Sequence, residues 1–198
     1  MIRRIRIRLA AEGGYSLVEL VTVVAILSVV IGGLTTVFVS ASNGELDMNR
    51  RFQAQQSARL AMDKLRQEVH CATSVTPSGT STSIAITLPA ACPTAAGFTT
   101  IRWCAVAPPG ALSGRFALYR STAATCGSST GVKWADYLTL SSVFAYTPQS
   151  SQSLANLAVL LFVNLRRGSS VGSFKLQDRI VLRNSTRTCI VGSPSPPC

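Results

Sequence analysis

Residues 20–39 read LVTVVAILSVVIGGLTTVFV, a run of 20 amino acids without a charge. In a helix rising about 1.5 Å per residue, such a run is about 30 Å long, the thickness of a bilayer's hydrocarbon core. Lipid, or a packed bundle of similar helices, is the environment that accepts it. Arg3, Arg4, Arg6 and Arg8 precede the run. Positive residues stay on the cytoplasmic side, so the chain reads as a single-pass protein of the cytoplasmic membrane, N-terminus inside and C-terminal bulk outside. An ordinary secretory signal would also start basic and turn apolar, with its cut after the apolar run, near Ser40-Ala41-Ser42. The run exceeds the usual length of about 7–15 residues for such a signal. An acid, Glu19, immediately precedes it, and both features favour a retained helix.

Charge elsewhere is sparse. Only 14% of residues are charged, against about 25% in ordinary globular domains. The formal net charge is +11. Without residues 1–14, which hold four Arg and Glu12, there remain 15 cations and 7 anions, a net +8. Apart from the pairs Arg50-Arg51 and Arg166-Arg167 these cations are scattered, which reads as a solvated basic surface. The six cysteines, Cys71, Cys92, Cys104, Cys126, Cys189 and Cys198, all follow the apolar run. An even number on the outward side of a membrane points to disulfides. No two are spaced as CxxC, so zinc or redox-motif chemistry has no support. Six cysteines allow more pairings than the sequence can choose among. Joining near neighbours gives the working set Cys71–Cys92, Cys104–Cys126 and Cys189–Cys198.

The stretch Gly14-Tyr15-Ser16-Leu17-Val18-Glu19-Leu20, behind a short basic leader, resembles the prepilin peptidase site of type IV pilins and type II secretion pseudopilins. That site has Gly, an aromatic residue that is commonly Phe, Thr or Ser, Leu, an aliphatic residue, Glu, Leu, and then a long aliphatic run. Tyr15 departs from it only in the identity of the ring. The resemblance implies cleavage after Gly14, N-methylation of the new N-terminus at Tyr15, and a role for Glu19 in assembly. It implies as partners other pilin or pseudopilin subunits, the prepilin peptidase that also methylates, and membrane lipid. A carboxylate in lipid is costly unless paired. Cleavage would create a cationic amine at Tyr15, close to Glu19 on the same or a neighbouring subunit. Gly32-Gly33, inside the apolar run, would weaken a lone helix but permit close approach in a bundle.

Beyond the run, Asn43-Gly44 is a candidate kink, and residues 45–71 then read as an amphipathic helix. Ala58, Ala61, Met62, Leu65 and Val69 form one apolar stripe at three- and four-residue spacing. Asp63–Arg66 and Lys64–Glu68 have the spacing of surface ion pairs. After Cys71 the pattern changes to short strands between Ser, Thr, Gly and Pro, expected over 83–88, 99–107, 116–121, 142–146, 157–165 and 174–183. Residues 192–197 read as a loose tail. Residues 56–72 resemble the helix of PilW-like minor pilins and J-type pseudopilins, with Arg59, Leu65 and Glu68 at the matching positions. The reading is therefore α+β and pilin-like: a long N-terminal transmembrane α-helix packed on an antiparallel β-sheet domain. Its parts are a leader (1–14), an assembly helix (15–40), an amphipathic continuation (41–71) and an exported β-rich domain (72–198).

Little in the chain resembles a catalyst. His70, the one histidine, adjoins Cys71, but consecutive helical residues point about 100° apart. It reads as a solvated residue at a helix end. No phosphate-binding glycine loop, metal cluster or nucleophile elbow is present, so no cofactor and no metal are expected, and the chain reads as a substrate of the peptidase and not as an enzyme. Trp103, Trp134, Tyr119, Tyr137 and Phe144 read as core or strand residues. DNA is the second partner class, through capture by a pilus subunit in an uptake machine, and Arg102, Trp103, Arg115 and Arg120 are where an aromatic–arginine strip would lie. A membrane-anchored exported protein unrelated to pili is the third reading.

Overall fold

The computed structural model describes residues 15–93, 97–150, 153–166 and 173–185. The leader with Gly14, the tail, and Cys189 and Cys198 lie outside them. One helix, α1 (Leu17–Cys71), precedes nine strands: β1 (Ser74–Thr76), β2 (Gly79–Ser81), β3 (Ser83–Thr87), β4 (Thr100–Val106), β5 (Phe116–Ser121), β6 (Val132–Leu138), β7 (Phe144–Thr147), β8 (Asn156–Asn164) and β9 (Ser173–Val181). The chain divides into two compact units between Met48 and Asn49. Asn43 and Gly44 are helical, so the kink expected there does not break α1.

In the second unit, α1 buries Ala54, Ala58, Ala61, Met62, Leu65, Glu68 and Val69. The apolar members are the anticipated stripe extended back by one turn. Facing them is the inner surface of the sheet, where β8 alternates with period two: Leu157, Val159, Leu161 and Val163 are buried, and the residues between them are half-buried. Trp103, Phe144, Ile84, Ile86, Ile101, Leu118, Leu138, Ile180 and Leu182 complete this core. Each large side chain contributes roughly 1.5–3 kcal/mol of burial.

All described pairings are antiparallel, and the strand order is β1-β3-β4-β5-β6-β8-β7-β2, with β9 on β8. One edge of β8 carries β9 along its whole length. The other edge is shared, with β7 on Asn156–Val159 and β6 at Val163. The two ends of the strand order, β1 and β2, are consecutive in the chain, separated only by Pro77 and Ser78. Such a short connection requires the ends to meet, so the sheet curls round. Tyr146 on β7 lies close enough to the backbone of Val75 on β1, across that closure, for that backbone to lower its pKa.

Three strands lie outside the sequence expectation. β1 and β2 have three residues each, too few for an alternation to register. β6 (VKWADYL) mixes Lys133 and Asp136 with its apolar residues, and Tyr137 has φ 61°, which breaks the regular pleat. A β-bulge between β5 and β6 accompanies that irregularity.

Candidate functional site

Of the anticipated processing and assembly residues, Tyr15 and Glu19 stand at the start of α1, and Gly14 lies outside the described residues. The amide of Leu20 donates to the carbonyl of Ser16 (3.1 Å), the first helical bond reaching back to that residue. Ser16 thus occupies the N-cap position and Glu19 the third helical position, the spacing of a capping box. An acid there also faces the positive end of the helix dipole. The local sequence therefore holds Glu19 at a helix start even before any partner is considered. Tyr15 is 81% exposed. Every residue from 15 to 46 is exposed.

The hydroxyl groups in this segment are turned inward on the helix backbone. Thr22 donates to the carbonyl of Glu19 (2.9 Å), Ser28 to Val24 (2.6 Å), Thr35 to Ile31 (2.7 Å) and Thr36 to Gly33 (2.8 Å). Polar side chains that satisfy themselves in this way leave an apolar surface, which is what lipid requires. The segment is long and apolar enough to cross a membrane. A Cβ added at Gly32 or Gly33 meets nothing within 4 Å, so neither glycine is needed for packing inside this chain.

Glu68 departs most from its expected place. It is fully buried, so its expected pair with Lys64 is made from inside the core and not on the surface. Its Oε2 accepts from the indole N–H of Trp103 (2.7 Å) and its Oε1 from Nε of Arg120 (2.8 Å), while the Lys64 ammonium stays 3.9 Å away. Trp103 and Arg120 are cross-strand neighbours on β4 and β5, so one carboxylate clamps α1 to two strands. An acid on a helix ordinarily reads as solvent-facing. The signal that marks it is its place one residue before Val69 on the buried stripe.

That clamp also rearranges the proposed aromatic–arginine strip. Trp103 is fully buried and Arg120 is committed to Glu68, both on the inner side of the sheet. Arg115 donates to the carbonyl of Leu165 and lies over the Tyr137 ring, 5.1 Å from its centre. Arg102, one residue from Trp103 on the same strand, points to the opposite face. The four residues do not form one exposed strip.

His70 is half-buried, only partly in solvent. Its Nδ1 lies 3.0 Å from the carbonyl of Val181, and since a carbonyl only accepts, Nδ1 carries the proton. Arg66 bridges α1 to β9, donating to Asp178 through Nε (3.0 Å) and Nη2 (2.8 Å) and reaching Asp63 at 3.2 Å. The bond to Asp178 raises the Arg66 pKa, and Asp136 does the same for Lys133.

Cys71 at the end of α1 is bonded to Cys92, and Cys104 on β4 to Cys126 in the loop after β5. The second bridge, with Ala117 and Tyr119, seals a small cluster on the outer face of the sheet. Comparison with protein-family models, curated proteins and solved structures finds no significant match to this chain.

Proposed function

We propose that this chain is a minor type IV pilin or pseudopilin subunit, cut after Gly14, N-methylated at Tyr15 and built into a filament through its N-terminal helix as a priming or tip subunit. The observation that carries the reading is the conjunction at the start of α1: a sequence like a prepilin peptidase cleavage site leads into a helix whose first 30 or so residues bury nothing against their own chain. A helix that apolar needs lipid before assembly and other helices after it. Glu19, the sole charge among residues 15–40, costs several kcal/mol in lipid unless paired. The amine released at Tyr15 stays cationic when methylated and pairs with such an acid, so the pair sets the axial step between subunits. The disulfide-bonded β domain is the exported part, and the protein is a structural subunit and not an enzyme.

Mass spectrometry of the N-terminal peptide, from protein extracted from its native membrane, tests this. A peptide beginning at methylated Tyr15 is expected. A start at Met1, or after Ala41 or Ser42, would mean an ordinary anchor or a secreted domain, and the pilin reading falls.

A further inference from the structure

The outer face of the sheet holds a cavity of about 380 Å³, lined chiefly by Thr76, Pro77, Ser83, Ala85, Arg102 and Thr125. It owes its existence to small neighbours: in register, Arg102 lies between Ala85 on β3 and Ser121 on β5. Neither fills the space beside the guanidinium. The far wall is the loop after β5, held in place by the Cys104–Cys126 bridge and by Ser121, whose hydroxyl bonds the carbonyls of Thr125 (3.0 Å) and Thr130 (2.9 Å). The wall is thus preorganised. Arg102 is half-buried, and among the described residues no carboxylate pairs with its guanidinium. No acid lines the cavity. Three other arginines are engaged: Arg66 with Asp178, Arg120 with Glu68, and Arg115 with a carbonyl.

The geometry points to a binding site for a compact carboxylate-bearing ligand of the acidic monosaccharide class. A planar guanidinium matches a carboxylate in a two-pronged geometry. The hydroxyls of Thr76, Ser83 and Thr125 both donate and accept, as sugar hydroxyls demand. Pro77, Ala85 and Ala124 supply the apolar wall against which a ring face lies. The volume sits at the small end of ligand sites, about 300–1,000 Å³, which suits a single ring. This site is independent of how the N-terminus is processed.

Saturation-transfer NMR on the full chain in micelles, with D-glucuronate as probe and D-glucose and inorganic phosphate as comparators, tests the site. Glucuronate is expected to bind saturably and more tightly than either comparator. Arg102→Gln should weaken it about tenfold or more, the scale of a lost charge-assisted pair. Ala124→Trp, at the exposed rim, should abolish binding by filling the mouth. Lys175→Gln, a basic residue elsewhere on the sheet, should leave it unchanged. Retained near-ultraviolet circular dichroism establishes that each variant is folded. Absent binding by the wild-type chain, binding indifferent to both Arg102→Gln and Ala124→Trp, or glucose or phosphate bound as tightly as glucuronate would overturn the assignment.

Discussion

Along α1, residues up to 46 are exposed on every face, Val24, Val30 and Phe38 among them, whereas from Ala54 onward every third or fourth residue is buried. Both stretches have the same backbone. They differ in how apolar residues are distributed around it. In the first they surround the helix, so no single face is set aside for a sheet, and the natural solvent is lipid or other helices. In the second they form one stripe, with one acid where Trp103 and Arg120 await it. The second unit is thus packed around its own core, whereas the first presents apolar residues on every face.

Four measurements break or sharpen this contrast. The largest effect is expected from Glu68→Ala, which strips the partner from a buried indole N–H and a largely buried guanidinium. Loss of one partner from a buried pair costs about 3–5 kcal/mol, so denaturant unfolding of the second unit should shift by that amount. A shift below about 1 kcal/mol would mean that this carboxylate does not hold helix to sheet. Val30→Asp should do the reverse, leaving that unfolding transition in place while raising the cost of membrane insertion by about 2.5–3.5 kcal/mol. Carbonate extraction reports it. If the substitution also moves the unfolding midpoint, the two units are not separable.

The third measurement is alkaline unfolding. Burial raises the Tyr146 pKa above its usual 10, with the nearby backbone of Val75 acting the other way. An acid whose folded pKa is raised contributes stability that is present below the unfolded value and lost as pH climbs through the folded one. Stability of the second unit should therefore fall above about pH 10, and Tyr146→Phe should flatten that slope. An unchanged slope would remove Tyr146 as the cause. The smallest effect belongs to Arg66→Ala. Its pair with Asp178 is partly exposed and should contribute about 0.2–1 kcal/mol, shrinking in high salt.

Much of this architecture is legible in the amino-acid order, and the failures have physical causes. The membrane-length run and the alanine stripe each repeat one simple pattern over many residues, so both are visible. Six strands announce themselves by β-branched and aromatic residues between turn formers. β1 and β2 do not, because three residues hold too little pattern. The curled closure of the sheet is invisible for another reason: the two-residue link through Pro77 and Ser78 looks like any hairpin turn, while β1 pairs with nearby β3 and β2 with distant β7. Glu68 is misread because a charge on a helix is usually hydrated, and only the folded sheet brings two donors to it. The cavity beside Arg102 depends on which residues sit across from it, Ala85 and Ser121, and register of that kind emerges only from the assembled sheet.

The bridge between Cys71 and Cys92 has a mechanical consequence. A pull along α1 arrives at its last residue, and there it divides. One share passes through the backbone into Ala72 and β1. The other crosses the sulfurs to Cys92, on the segment that leads from β3 to β4. β1 and β3 are hydrogen-bonded to each other, so the two routes converge on one pair of strands. Traction that would otherwise peel a three-residue strand from its neighbour is carried in parallel by a covalent strut. Reducing that strut would leave resting stability to the core, but it would turn the first strand of the sheet into the weakest link under tension.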